Sequence, residues 1–186
     1  MRITKAQAKE NRDRVVAAAS ELFRAQGFEG VAVNEVMAAA GFTHGGFYNH
    51  FGSKEALAAE AVRSAFEEMA KRRERAPDLA AMLRGYFSKA ARRAPGKSCP
   101  AAALAGEVGR QPDAVRASFA DGLEQMIASV EARLPPGRHA LSRRERAVGL
   151  VARMAGALAL ARAVPEANPL ADELLEASLR AALREL

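Results

Sequence analysis

The chain has 186 residues, 49% of them hydrophobic and 27% charged, with one Cys and no Trp. This excludes a disordered tail and an intramolecular disulfide, and leaves enough chain for a sizeable core in one or two domains. The formal net charge is +6, yet residues 1–75 hold twelve Lys or Arg against ten Asp or Glu, so charge placement rather than net charge must locate any anionic partner. Abundant Ala and few aromatics favour helices packed through small residues. No leader and no run of about 18 apolar residues stands out, so the expectation is a cytoplasmic protein with no membrane partner.

In chain order, residues 1–14 carry Arg2, Lys5, Lys9, Arg12 and Arg14 against Glu10 and Asp13. They read either as a solvated terminus or as a basic arm for a phosphate backbone. Helical spacing of Val15, Ala19, Leu22 and Phe23 predicts a helix over 6–26, closed by Gly27, with Phe28 filling the gap to the next helix. Val33, Val36 and Met37 predict a short helix over 34–40. Gly41 suits the left-handed residue that ends it, Phe42 is an apolar plug, and Thr43 is a hydroxyl available to cap the next helix. The segment 44–50 reads as a thin helix anchored from beneath by Phe47 and Phe51. It leaves Thr43, His44, Gly45, Tyr48, Asn49 and His50 outward. Two helices about a Gly turn, the second short and polar, form the helix-turn-helix arrangement that enters the DNA major groove. Ser53 is the cap of a helix over 54–75, whose apolar side includes Leu57, Ala61, Ala65, Phe66 and Met69. Its terminal Lys71, Arg72, Arg73 and Arg75 read as a solvated end favoured by the helix dipole.

These residues resemble the DNA-binding segment of the tetracycline-repressor (TetR/AcrR) family of bacterial regulators. The matching residues are Gly27-Phe28, Ala40-Gly41-Phe42-Thr43, Gly45, Phe47-Tyr48, His50-Phe51 and Ser53-Lys54-Glu55-Ala56-Leu57. The resemblance implies that Thr43, Tyr48, His50 and Lys54 contact phosphates, while His44, Gly45, Gly46 and Asn49 face base edges. One departure is Val31-Ala32, where the family carries Thr or Ser, so no hydroxyl is present to cap the second helix. His44 and His50 are six apart and lack Cys or carboxylate company, so no metal is expected. No cofactor is expected either.

Beyond Pro77, Asp78 caps a helix over 79–93 ended by Pro95-Gly96. Further helices are predicted over 100–109, over 113–134 up to the stop Pro135-Pro136-Gly137, from Ser142 to 164, and from 170 to the end. The fold class is therefore all-α, about nine helices, divided into a head over 1–53 and a body over 54–186. Along 143–164, Gly149, Ala152, Gly156, Ala159 and Ala163 form a small-residue stripe. The last helix adds Leu175 and Leu179 at helical spacing. Both helices read either as plain core or as a four-helix homodimer interface, and the resemblance implies the dimer. Phe66, Met69, Met82, Tyr86, Phe87, Leu104, Phe119, Leu123 and Met126 read as core or as the wall of a cavity for a small-molecule effector. The resemblance implies such an effector, and Tyr86, Glu107 and Arg110 offer polar contacts. Cys99 precedes Pro100 at a helix start with Lys97 nearby, a setting for either an inert buried thiol or redox sensing. No catalytic constellation appears. The expected function is a ligand-responsive repressor that binds double-stranded operator DNA as a homodimer. The alternatives are a helical module binding nucleic acid without sequence preference and, last, a small-molecule enzyme.

Overall fold

The computed structural model describes residues 4–136 and 140–186; the expectations placed on Arg2 and Gly137 lie outside them. The described residues are all-helical. The head comprises α1 (Lys5–Gln26), α2 (Val33–Ala39) and a six-residue 3-10 helix, His44–Asn49, that serves as the recognition turn. The body comprises α3 (Lys54–Glu74), α4 (Leu79–Tyr86), α5 (Lys89–Arg93), a 3-10 turn at Pro95–Lys97, α6 (Pro100–Val108), α7 (Asp113–Arg133), α8 (Arg143–Ala163) and α9 (Leu170–Arg184).

Local hydrogen bonds set most of these boundaries. The Ser53, Asp78 and Ser142 side chains accept from the N–H groups of Ala56, Ala81 and Glu145, each satisfying a donor that a helix start leaves unpaired. At Ala32, which has no hydroxyl, the Glu35 carboxylate instead accepts from the Ala32 N–H at 2.6 Å, half of a capping box. Gly41 sits at φ +80° after α2. Its N–H donates to the Ala38 carbonyl at 3.0 Å, and that of Phe42 to Met37 at 2.8 Å, the paired bonds of a Schellman end.

The helix expected over 79–93 is two helices. Ser88 donates to the Gly85 carbonyl at 2.8 Å and accepts from the Ala91 N–H at 3.1 Å. A hydroxyl that can restart the helix, close behind a glycine with poor helix propensity, turns the chain at Phe87.

One apolar core runs from the head into the body, from Val15, Phe23 and Phe28 through Leu57 and Phe66 to Met126, Leu150 and Met154. α3 packs along α7, and α1 packs on α3. Gly122 of α7 makes the first contact possible, because a Cβ there would overlap the Phe66 ring. Phe66 in turn meets Phe119 edge-on at 5.5 Å between centroids.

Candidate nucleic-acid interface and body cavity

The recognition segment is pinned from below and open above. Phe47 and Phe51 are buried and their rings stack at 5.7 Å. Tyr48 leans edge-on against Phe47 but is 71% exposed. Thr43, His44, Gly45 and Asn49 are exposed or half-buried at the surface, and Gly46, His50 and Lys54 border them. No Asp or Glu occurs between Glu35 and Glu55, so the outward face holds only neutral and basic groups. An anionic surface approaching it meets no like charge.

Two expectations are corrected by this geometry. The segment is a 3-10 turn rather than an α-helix. Six residues with Gly45-Gly46 among them lack the propensity for an α-helix, and the tighter coil suffices to set Phe47 inward. Thr43 does not cap the segment through its hydroxyl; only its carbonyl accepts, from the Gly46 N–H at 3.1 Å. The hydroxyl is left for other partners.

Two of the described N-terminal basic residues, Arg12 and Arg14, fold back onto the head, while Lys5 and Lys9 stay exposed. The Arg12 guanidinium pairs with Glu60 of α3 and lies 4.5 Å over the Phe51 ring. Arg14 lies over Phe42 and donates to the Ala40 carbonyl, at the end of α2, at 2.7 Å. Lys9 bridges Asp13 at 2.9 Å. Arg12 and Arg14 therefore brace the helix-turn-helix against α1 and α3.

The head is tied to the body by two further groups. Arg24 of α1 is buried and well supplied with acceptors. It donates to the Ser20 and Ser98 carbonyls at 3.1 and 2.9 Å, and it pairs with Glu68 at 2.7 Å. Glu107, near the end of α6, accepts from the Phe28 N–H at 2.9 Å and packs against Gly27, which has φ +80°. The sequence suggests Glu107 as a ligand contact; in the structure it fixes the corner between α1 and α2.

A cavity of about 440 Å³ lies among α3, α4, α5 and the start of α6. Met69, Met82 and Tyr86 line it, together with Arg72, Arg73, Ser98, Cys99 and Leu158, which the sequence did not place there. Phe66, Phe87, Leu104, Phe119, Leu123 and Met126 are not part of this wall. All of these but Leu123 are buried, and Leu123 packs half-buried against the core. Arg73 is not part of a solvated helix end: it is 7% exposed. Its position was readable, since Phe66, Met69 and Arg73 follow at three and four residues on one face of α3. Burial lowers the Arg73 pKa, though a guanidinium stays charged. Burial, followed by the neighbouring Cys99, pushes the Tyr86 phenol well above its ordinary range. Cys99 is buried at the N-cap of α6, its Sγ 3.8 Å from Met126 Sδ. The cation expected beside it, Lys97, reaches Glu21 instead, at 3.7 Å.

On α8, Gly149, Ala152, Gly156, Ala159 and Ala163 are all exposed, and Gly149 and Gly156 face open space. Val148 and Leu160 are exposed beside them. On α9, Leu175 is buried at 2% exposure and Leu179 packs half-buried against the core. Leu175 thus belongs to the subunit interior and is not on a surface that a second copy meets, because α9 turns its leucine side onto α8 and α4.

The fold and the site define an all-helical protein with a helix-turn-helix head on a helical body that contains a cavity. Residues 15–61 match the model of the bacterial regulatory proteins of the tetR family. The chain is 26% identical to a TetR transcriptional regulator from Chloroflexus aurantiacus, covering 96% of this chain and 95% of that one with a TM-score of 0.78. Reduced NemR of E. coli has the same fold, at a TM-score of 0.76 and 21% identity over 94% of this chain and 96% of that one. Among curated relatives, the transcriptional repressor DhaR of Mycobacterium sp. strain GP1 is 27% identical over 62% of this chain and 61% of its own length. The regulator LmrA of Bacillus subtilis is 41% identical over 28% of this chain and 29% of its own. The matched segments thus span less than two thirds of these curated relatives. Residues 15–61 thus match the DNA-binding segment of tetR-family regulators, and the whole chain shares the fold of solved TetR-family proteins. No helix among the described residues is long and apolar enough to cross a membrane.

Proposed function

We propose that the protein is a ligand-responsive transcriptional repressor that binds a palindromic operator as a homodimer. The observation that carries this reading is the recognition turn, an outward face free of carboxylates held by two buried phenylalanines. Thr43, Tyr48, His50 and Lys54 are assigned to phosphates, and His44, Gly45, Gly46 and Asn49 to base edges. A Cβ at Gly45 would meet nothing, so the backbone there is open to close approach by DNA.

Dimerisation through α8 is supported by its exposed stripe of small residues flanked by Val148 and Leu160. A two-fold axis there presents two recognition turns to successive major grooves, about 34–36 Å apart. The repressor direction is taken from the name of the Mycobacterium relative. The head is residues 1–53 and the effector-binding and dimerisation body is 54–186. An effector in the cavity acts on the head through α3 and through the Glu107 and Arg24 ties.

Competition binding tests the reading. An operator taken from an inverted repeat flanking the gene should resist competition by random DNA. Tyr48→Ala and Lys54→Ala should weaken binding to all sequences alike, whereas Asn49→Ala should change the preferred sequence. Equal competition by random DNA would remove the operator assignment.

A further inference from the structure

The wall of the body cavity is basic and, among its described residues, nowhere acidic: Arg72, Arg73 and Lys97 line it with no Asp or Glu. Two of these cations are answered within the protein. Arg72 pairs with Glu68 at 2.5 Å, and Lys97 reaches Glu21 at 3.7 Å. Arg73 is not answered. It is 7% exposed, its Nε is buried without an acceptor, and it forms no ion pair with a carboxylate among the described residues. The Tyr86 hydroxyl on the same cavity is also buried, with only the weakly accepting Cys99 thiol beside it and no oxygen acceptor among the described residues. Buried cations and hydroxyls normally find acceptors, because burying them unmet is costly. A cavity that keeps both unmet, one a charge, is shaped for a ligand that brings the acceptor oxygens. Much of the remaining wall, including Met69, Met82 and Leu158, is apolar. Its volume falls within the span of small-molecule sites.

We propose that the cavity binds a small organic acid as its anion, with the acidic oxygens on Arg73 and Tyr86 and an apolar body against Met69, Met82 and Leu158. The inference rests on the reading of this cavity as the effector site and adds the chemical class of the effector. A planar guanidinium takes two oxygens of a carboxylate at once, and a phenol adds a third donor. The Tyr86 phenol is protonated, and so a donor, through neutral pH, and burial raises its pKa further. Cationic effectors meet three positive side chains here and are disfavoured.

The test uses the full chain and a matched pair of fluorescent probes: 8-anilinonaphthalene-1-sulfonate and N-phenyl-1-naphthylamine, which lacks the sulfonate. The wild type should bind the sulfonate about ten- to a hundredfold tighter than the neutral probe. Arg73→Met should abolish that preference while keeping the neutral probe, and Arg73→Lys should retain most of it. Probe lodged on the exposed apolar face of α8 would not respond to position 73. A preference that survives Arg73→Met, equal affinities in the wild type, or uptake of neither probe would overturn the inference. Should Arg73→Met fail to fold by circular dichroism, the same criteria apply to Arg73→Gln. Operator binding is followed in parallel: a charge preference that depends on Arg73 but leaves operator affinity unchanged upholds the anion site and removes the effector reading instead.

Discussion

The head and the body cavity treat their charges in opposite ways. In the head, three arginines turned onto the protein each find a partner: Arg12 pairs with Glu60, Arg14 donates to Ala40, and Arg24 is met by Ser20, Ser98 and Glu68. In the cavity, Arg73 and Tyr86 are buried with unmet polar atoms. The head is complete without its ligand and presents a finished surface. The cavity leaves the Arg73 Nε and the Tyr86 hydroxyl without oxygen acceptors among the described residues. On the proposed function, this contrast supplies a preset reader on one side and, on the other, a site whose occupancy can shift the balance between states.

Four substitutions break or sharpen the contrast, from the largest effect to the smallest. Phe47→Ala removes the anchor of the recognition turn and should cost about 3–5 kcal/mol, read as a lowered denaturant midpoint together with loss of operator binding. A stable variant that still binds would show the turn does not depend on its buried ring. Glu107→Ala leaves the Phe28 N–H unmet at the corner between α1 and α2. It should cost about 1–3 kcal/mol, and it should reduce any effect of cavity ligands on operator affinity more than it reduces operator affinity itself. Gly41→Ala forces a Cβ into the left-handed region and toward the Arg14 guanidinium, and should lower the unfolding free energy by about 1–2 kcal/mol. In the cavity the sign reverses. Arg73→Met, by deleting an unanswered buried charge, should leave the ligand-free protein as stable or raise it by roughly 1–2 kcal/mol in thermal unfolding. A clear loss there would mean that Arg73 has a structural partner in solution.

A pH titration sharpens the same contrast. The folded Tyr86 phenol has a raised pKa, so above about pH 10 the unfolded chain loses this proton while the folded chain holds it. Ionisation then favours the unfolded state. Stability should be unaffected by this group below that pH and should fall as pH rises past it. Tyr86→Phe should flatten the decline, measured as the difference in denaturant midpoint between the two proteins from pH 8 to 11.

Much of the fold was legible because its signals are local. Gly27, Gly41, Ser53, Asp78 and Ser142 each act within four residues of themselves, through a backbone angle or one capping bond, and each ends or starts a helix where the sequence places it. The spacing of Phe47 and Phe51 likewise fixed which side of the recognition turn faces out. The break at Phe87 was legible in principle, from Gly85 and Ser88, and was missed because the apolar periodicity runs through it.

What the sequence by itself determined is therefore the all-helical order, the helix ends and the outward face of the head, since those arise from propensity, capping and periodicity along one element. Only the tertiary structure decided that Arg24 lies inside, that Glu107 ties the head to the body, that α9 gives Leu175 to its own subunit, and which side chains wall the cavity. Those outcomes depend on which helix lies across from which. A side chain's neighbours at a crossing come from distant parts of the chain, and no pattern within one helix encodes them.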